Sequence, residues 1–381
     1  MSNPPVRIAF APPFIGEEEI AEVVATLRSG WLAAGPRVAA FEERFRALCG
    51  SPFVVATSSC TGALHIALSL LDVEGGEVLL PTMTFAATAL AAVHSGARPV
   101  LADIEEDTLN IDPADVAARM TPQTRAIMAV HYAGLPCAID DLLKIARGAG
   151  ISLVEDAAHA IGCYSRGRHA GSIGDAGAFS FYANKNLTTI EGGMFTTARQ
   201  DLAERARTLR LQGINRDAWR REGGASWRYD IVEAGFKYPM NDVQAAVGLH
   251  QMTRLAGWQD RRAAIAARYR QSLAGVAGVK PLADAPSDSV HGNHLFVVRI
   301  APETAGRDVV AARLRQRGIE TSVHFVPLHL HPYFQREWGY REGDFPRAER
   351  VFAEILSLPQ HPGMSDKDVD QVTEALSQVL E

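Results

Sequence analysis

What most restricts this chain is an alternation that runs from residue 53 to residue 155. Short apolar runs at Phe53–Ala56, Val78–Leu80, Pro99–Asp103, Ala126–Val130 and Ile151–Glu155 are separated by helix-like segments that start near Thr61, Phe85, Asp112 and Asp140. Strands spaced about 20–30 residues apart are joined by crossover helices rather than hairpins, which makes the sheet largely parallel and covers both of its faces. The pattern therefore predicts an α/β fold, a three-layer sandwich around a mostly parallel sheet. Ala176–Phe181 and Met194–Thr197 have no clear helix between them, and predict a local antiparallel excursion.

The flanks differ from this centre. In GEEEIAEVVATLRSG, Ile20, Val23, Val24 and Leu27 recur at helical spacing behind an acidic first turn, and Gly30 ends the run, so an amphipathic helix opens the chain. After Asn241 the pattern predicts a helix over 242–273, a strand at His294–Ile300, a helix at Asp308–Arg317 and a strand at Ile319–Phe325. Ser365 and Asp368 form a capping-box pattern before Val369, Val372, Leu376 and Val379, so a second amphipathic helix closes the chain. The expected division is a large α/β domain over 1–250 and a smaller C-terminal α+β domain over 251–381.

Composition removes several classes of function. The 44 acids and 38 bases give a net charge of −6, so no overall basic surface is available for nucleic acid. No apolar run approaches the ~20 residues that span a bilayer, and MSNPPVRIAF lacks a leader pattern, so the expectation is a cytoplasmic protein without a membrane partner. Cys49, Cys60, Cys137 and Cys163 are far apart and form no CxxC, so neither disulfides nor a metal site is expected. Only five of the basic residues are lysines: Lys144, Lys185, Lys237, Lys280 and Lys367. In a chain that prefers arginine, a lysine in an apolar or small-residue setting invites the question of what arginine could not do there: lose its proton or form an imine.

Ligands of open α/β sheets collect at the carboxyl ends of the strands. There ISLVEDAAHA supplies Asp156 with Glu155 and His159 beside it, and AFSFYANKNLTTIEGG supplies Ser180 and Lys185. VVATSSCTGALHIAL leads from a strand through Thr57, Ser58 and Ser59 into a helix near Thr61, whose free N–H groups and dipole suit a phosphate. PTMTFAATAL adds the flat ring of Phe85. Taken singly, each has an ordinary explanation: a capping acid, a surface lysine, an N-cap, a core ring or a hydrogen-bonded histidine. Together they are an aldehyde-reactive amine, an acid to keep a pyridine nitrogen protonated, an anion cradle and a stacking surface, which are the requirements of pyridoxal phosphate.

The chain resembles the DegT/DnrJ/EryC1/StrS family of sugar aminotransferases, fold-type I pyridoxal phosphate enzymes, along nearly its whole length. SGWLAAGP, FEERF, SSCTGALHIAL, PTMTFAATA, VHYAG, EDAAHAIG, FSFYANKNLTTIEGG, GFKYPMNDVQAA, HFVPLHLHPYF and SLPQHPGM occur in the family's order. The resemblance implies that Lys185 condenses with the cofactor aldehyde, Asp156 partners the pyridine nitrogen and Phe85 stacks on the ring. It places Cys60, Thr61 and Ser180 at the phosphate, with Cys60 standing where glycine is usual, and His159 near the ring and its 3′-oxygen. Lys237 falls in a segment that relatives send from the partner subunit toward the phosphate, which implies a homodimer with shared active sites. Trp31, His324 and His329 match segments that border the substrate. The implied reaction moves an amino group from L-glutamate, through pyridoxamine phosphate, to a nucleotide-linked keto sugar.

The resemblance favours C4 of a 4-keto-6-deoxy sugar, because relatives with histidine at the position of His159 and the LTT-x-EGG pattern seen in NLTTIEGG tend to aminate there, and C3 amination of a 3-keto sugar is the alternative. Ile190 and Asn293 stand where relatives often have glycine and tryptophan, and both departures bear on the sugar or nucleotide pocket. Other outcomes on the same cofactor, such as dehydration, stay open, although relatives that deoxygenate C3 lack the lysine found at Lys185. A non-catalytic regulator is disfavoured by the charge balance.

Overall fold

The computed structural model describes residues 7–215 and 229–380. Two helices lead, α1 (Glu17–Ser29) and α2 (Pro36–Cys49). Strands and helices then alternate as β1 (Phe53–Thr57), α3 (Cys60–Leu70), β2 (Glu77–Pro81), α4 (Ala86–His94), β3 (Arg98–Ala102), α5 (Pro113–Arg119), β4 (Thr124–Val130), α6 (Ile139–Ala149) and β5 (Ser152–Asp156). A small hairpin of β6 (Tyr164–Ser165) and β7 (Arg168–His169) precedes β8 (Ala176–Ser180), β9 (Gly193–Thr197) and α7 (Gln200–Leu209). The later part holds α8 (Asp242–Leu273), β10 (Val279–Pro281), β11 (Ser289–Val290), β12 (Phe296–Ile300), α9 (Arg307–Gln316), α10 (Pro332–Trp338), α11 (Pro346–Glu354), β13 (Ile355–Leu358) and α12 (Asp366–Leu380).

The main sheet runs β1-β9-β8-β5-β4-β2-β3. β3, β2, β4, β5 and β8 are parallel to their neighbours, and β9 is antiparallel to both β8 and β1, which is the excursion the sequence predicts. The three-layer mostly parallel sandwich is therefore present. Alternate residues of its strands serve opposite layers, as the two-residue strand period demands. Leu80, Met128 and Val154 join the core under α3 and α4, whereas Leu79, Ile127 and Leu153 join the core under α5 and α6. Continuing that period along β5 points Asp156 toward α3 and α4 and Glu155 toward the other side.

A smaller antiparallel sheet, β10-β12-β13, is covered by α9, α12 and the second half of α8. The first half of α8 belongs to a different core, in which Ala245 and Leu255 join Phe41, Phe45, Phe179 and Phe181. Gly248 makes that packing possible, because a Cβ there would lie 2.7 Å from the Phe41 ring. Residues 250 and 251, on either side of the boundary expected from the sequence, both lie inside this unbroken helix.

Two expectations need correction. No strand forms over Ile319–Phe325: among the described residues the segment makes only single bridges, Ile8 with Ile319 and Ser322 with Ser357, so its backbone pairs with two different partners at isolated points instead of building a ladder along one. The helix α1 does form, but Ile20, Val24 and Leu27 face outward, at 47%, 37% and 53% exposure. Its buried residues are Glu19 and Thr26. Glu19 is fully buried, accepting from Gly16 N at 2.9 Å and Gln251 Nε2 at 2.9 Å and pairing with Arg254 on α8. Periodicity located the stripe but not the side that meets the core. By contrast, α12 buries Val369, Val372, Leu376 and Val379, and its Ser365–Asp368 capping box is closed in both directions. No helix among the described residues is long and apolar enough to cross a membrane.

Candidate active site

The carboxyl ends of β1, β2, β4, β5 and β8 open into one cleft region. At the first, Thr57 donates its hydroxyl to Ser59 O at 2.9 Å, and Ser59 caps α3 by accepting from Gly62 N at 3.1 Å. The next two N–H groups, of Cys60 and Thr61, have no acceptor among the described residues. They are first-turn donors at the positive end of a helix, and such a pair suits an anion. β9 passes so close that a Cβ on Gly193 would lie 2.4 Å from the Ser59 carbonyl and 2.5 Å from Cys60 N. The Cys60 thiol itself turns inward, 3.6 Å from Ala178 O, and burial pushes its pKa well above the usual thiol range. Cys60 can thus offer its backbone, while the exposed Thr61 can add a hydroxyl.

Asp156 ends β5 and is 5% exposed. Its Oδ2 accepts from Thr88 Oγ1 at 2.8 Å and its Oδ1 from Ala158 N at 3.1 Å. Burial raises its pKa, opposed by those two bonds and by the charge of Lys185. Lys185, on the loop after β8, is half-buried, and loss of water pulls its ammonium down to about 8 against the opposing pull of Cys60 and Asp156. An amine with that pKa loses its proton far more readily near neutral pH than an ordinary lysine, although the ammonium still predominates at pH 7.

The loop carrying Lys185 is held tightly. Phe181 N donates to Gly192 O, and Thr189 N to Phe181 O, each at 2.9 Å. Asn186 is buried and donates through Nδ2 to Gly292 O at 2.7 Å and to Gln259 Oε1 at 3.1 Å, while its Oδ1 accepts from His294 Nδ1 at 3.1 Å. Ser180 is buried at the end of β8, its hydroxyl accepting from Tyr182 N at 3.4 Å.

His159 accepts at Nδ1 from Ala133 N at 3.3 Å, which leaves its proton on Nε2. Burial first, then Lys185 and His324, hold its pKa well below normal, so the ring is neutral. It stacks on Phe325 at 5.9 Å and 23°, and Phe85 meets the same Phe325 ring at 5.8 Å. Phe85 is 63% exposed, an apolar face turned to the cleft. His324 stacks on Phe10 at 5.5 Å, engages Ser357 Oγ at 2.9 Å, and is pushed down to about 4 by burial and by Lys185. Tyr132 donates its hydroxyl to the His324 carbonyl.

Lys185, Asp156, Cys60, His159, His324 and Phe85 are therefore brought together, with Thr61 and Ser180 on adjoining strand and helix ends. Three candidates share no hydrogen bond, ion pair or ring contact with this group among the described residues. His329 is fully buried with both ring nitrogens engaged, by Thr82 Oγ1 at 2.7 Å and Glu349 Oε1 at 2.8 Å, so it fastens α11 to the end of β2 and offers nothing to a substrate. Trp31 folds over Gly35, where a Cβ would lie 1.9 Å from the indole nitrogen. Lys237 is exposed, beside Tyr238, which covers Gly62 of its own chain. Sequence reasoning missed Thr88, Asn186 and Phe325. Thr88 and Asn186 lay inside motifs already singled out, but their partners come from other elements.

The donor set fits pyridoxal phosphate: unpaired N–H groups at the start of α3, a buried carboxylate, a half-buried amine of lowered pKa and an exposed ring face. Comparison with known proteins agrees. The Bacillus subtilis spore coat polysaccharide biosynthesis protein SpsC is 45% identical over 379 residues, covering 98% of this chain and 97% of its own. The putative sugar aminotransferase Spr1654 of Streptococcus pneumoniae is 34% identical and superposes with TM-scores of 0.92 in its PMP form and 0.91 in its PLP form, over 98% of this chain and 99% and 98% of its own. DesI, crystallised in the presence of its TDP-sugar product, is 36% identical, with a TM-score of 0.86 over 98% of this chain and 94% of its own. The profile of the DegT/DnrJ/EryC1/StrS aminotransferase family matches residues 13–377. With its fold and almost its full length in agreement, the chain belongs to that family of aminotransferases.

Proposed function

We propose that this protein uses pyridoxal phosphate to move an amino group from L-glutamate to a nucleotide-linked keto sugar, at C4 of a 4-keto-6-deoxy sugar. One observation carries the reading: a lysine with its pKa lowered to about 8 shares a cleft with a buried carboxylate at a strand end. The bound cofactor would supply an aldehyde for the amine and a protonated ring that draws electrons from the reacting carbon. Asp156 would hold the proton on the ring nitrogen. Lys185 Nζ, whose lowered pKa of about 8 gives it a larger free-base fraction near neutral pH than an ordinary lysine, can take a proton from Cα of the donor and release it again. Phe85 would cover one ring face, His159 can donate from Nε2 to an oxygen beside the ring, and the Cys60 and Thr61 N–H groups with Ser180 would hold the phosphate. The nucleotide-sugar substrate class is supported by DesI, whose structure was obtained with a TDP-sugar product. The choice of C4 over C3 rests on the resemblance of His159 and the NLTTIEGG segment to relatives that aminate C4.

A second copy of the chain completes the proposal. The outward stripe of α1, with Phe14, Ile15 and Leu32 also exposed, is the apolar area a homodimer would cover. Lys237, exposed on its own chain, would then serve the phosphate site of the other. The lobes proposed at 1–250 and 251–381 would share α8.

The test is spectroscopic and chemical. Protein loaded with pyridoxal phosphate should be yellow, fade on addition of L-glutamate, and recover with a keto sugar that it aminates. Borohydride followed by peptide mapping should place a pyridoxyl group on Lys185. Label elsewhere, or none, would sink the assignment, and a panel of UDP-, dTDP- and GDP-linked 3- and 4-keto sugars would decide the position.

A further inference from the structure

Asp156 is a nearly buried acid held, among the described residues, by two neutral donors, and one of them is not explained by the fold. Thr88 stands in the first turn of α4, three residues after Phe85, the N-cap residue, which has no side-chain cap to offer. A threonine inside a helix commonly returns its hydroxyl to the carbonyl four residues back. Here that position is Thr84, outside the helix, and the hydroxyl crosses to β5 instead, reaching Asp156 Oδ2 at 2.8 Å. Having given its only proton to a carboxylate, Thr88 Oγ1 must accept from Thr84 Oγ1, also at 2.8 Å. Thr84 and Thr88 are 2% and 0% exposed, so water does not compete for either hydroxyl. The result is a directed chain, Thr84 to Thr88 to Asp156, in which each bond strengthens the next.

We propose that Thr88, backed by Thr84, is a positioning residue: its hydroxyl fixes Asp156 in the one orientation that pairs with the ring nitrogen of pyridoxal phosphate. This rests on the assignment of Asp156 as the partner of that nitrogen. The same turn of α4 carries Phe85 on its cleft side. One helix start thus sets both the ring-stacking surface and the carboxylate, and a shift of α4 would displace the two together.

The test is the binding of two ligands to apoprotein, followed by fluorescence: pyridoxal phosphate, and its 1-deaza analogue, in which the ring nitrogen is replaced by C–H. Wild-type protein should prefer the natural cofactor. Thr88→Val should weaken pyridoxal phosphate by about tenfold or more, the scale of a hydrogen bond to a charged group, and leave the analogue almost unchanged, so that the preference collapses. Thr88→Ser should keep the preference, and Thr84→Val should reduce it by a smaller factor. An intact preference in Thr88→Val, or an equal loss for both ligands, overturns the positioning role while leaving Asp156 in its place. Absence of a preference in the wild type overturns the Asp156 assignment and this role with it. Should Thr88→Val fail to fold, an unchanged preference in Thr84→Val overturns the chain.

Discussion

Glu155 and Asp156 are neighbours on one strand, and the strand period sends them to opposite faces of the sheet, where they meet opposite treatment. Glu155 is fully buried and fully answered: Gly171 N, Ile173 N and Gly174 N donate to it at 2.7, 2.6 and 2.7 Å, and His131 Nε2 at 2.9 Å. Burial alone would raise its pKa, but the bonds from His131, Gly174 and Gly171 outweigh it and leave the carboxyl below its usual range. Among the described residues Asp156 receives only Thr88 and Ala158, and its pKa stays raised. An acid that the fold has satisfied is structural. One that the fold has buried and left short of donors fits the proposed role of Asp156 as partner to a cofactor nitrogen.

Substitutions can break this contrast. The largest effect is expected for Asp156→Asn, which should lower the turnover of loaded enzyme on the order of a thousandfold by removing the charge that its proposed role requires, measured by steady-state amination. Next is Glu155→Ala, which should destabilise apoprotein by about 3 kcal/mol, because His131 and three N–H groups lose their shared acceptor; urea denaturation would read this. Equal loss of stability in Asp156→Ala would erase the distinction.

Acidity should sharpen it. A depressed carboxyl stabilises the fold above its unfolded value, near 4.5 for Glu155, and that stability is lost as pH falls through the lower folded value. A raised carboxyl has the reverse slope: the fold loses stability as pH climbs from 3.8, the ordinary value for Asp156, through the higher folded value. Glu155→Gln should therefore flatten the acid limb of apoprotein stability. The smallest effect is a gain: Asp156→Asn should stabilise apoprotein at pH 7 by about 1 kcal/mol, since a neutral amide is cheaper to bury than a charge. Thermal melts from pH 3 to pH 8 would show both.

Much of this was legible from the chain. The strand–helix alternation reported the sheet, and Lys185 and Asp156 stood out by residue type and position. The direction of Asp156 was also within reach, since it follows Val154 by two. Even α2 left a signal, with Val38, Phe41, Phe45 and Cys49 three and four apart and all buried. What could not be read depends on which distant element arrives. Thr88 matters because α4 lies against β5, Asn186 because the loop around Gly292 reaches it, and His329 drops out because Thr82 and Glu349 close on its ring. The outward face of α1 escaped for the same reason: its polar side met Gln251 and Arg254, two residues of α8 more than 220 positions away.

The unbroken α8 has a mechanical consequence. At 32 residues it is a rod of about 48 Å, with one end gripped by the aromatic cluster around Phe41 and the other by the three-stranded sheet. Such a strut admits no hinge at its middle, so any rocking of one end against the other has to be absorbed where other strands of chain cross between them.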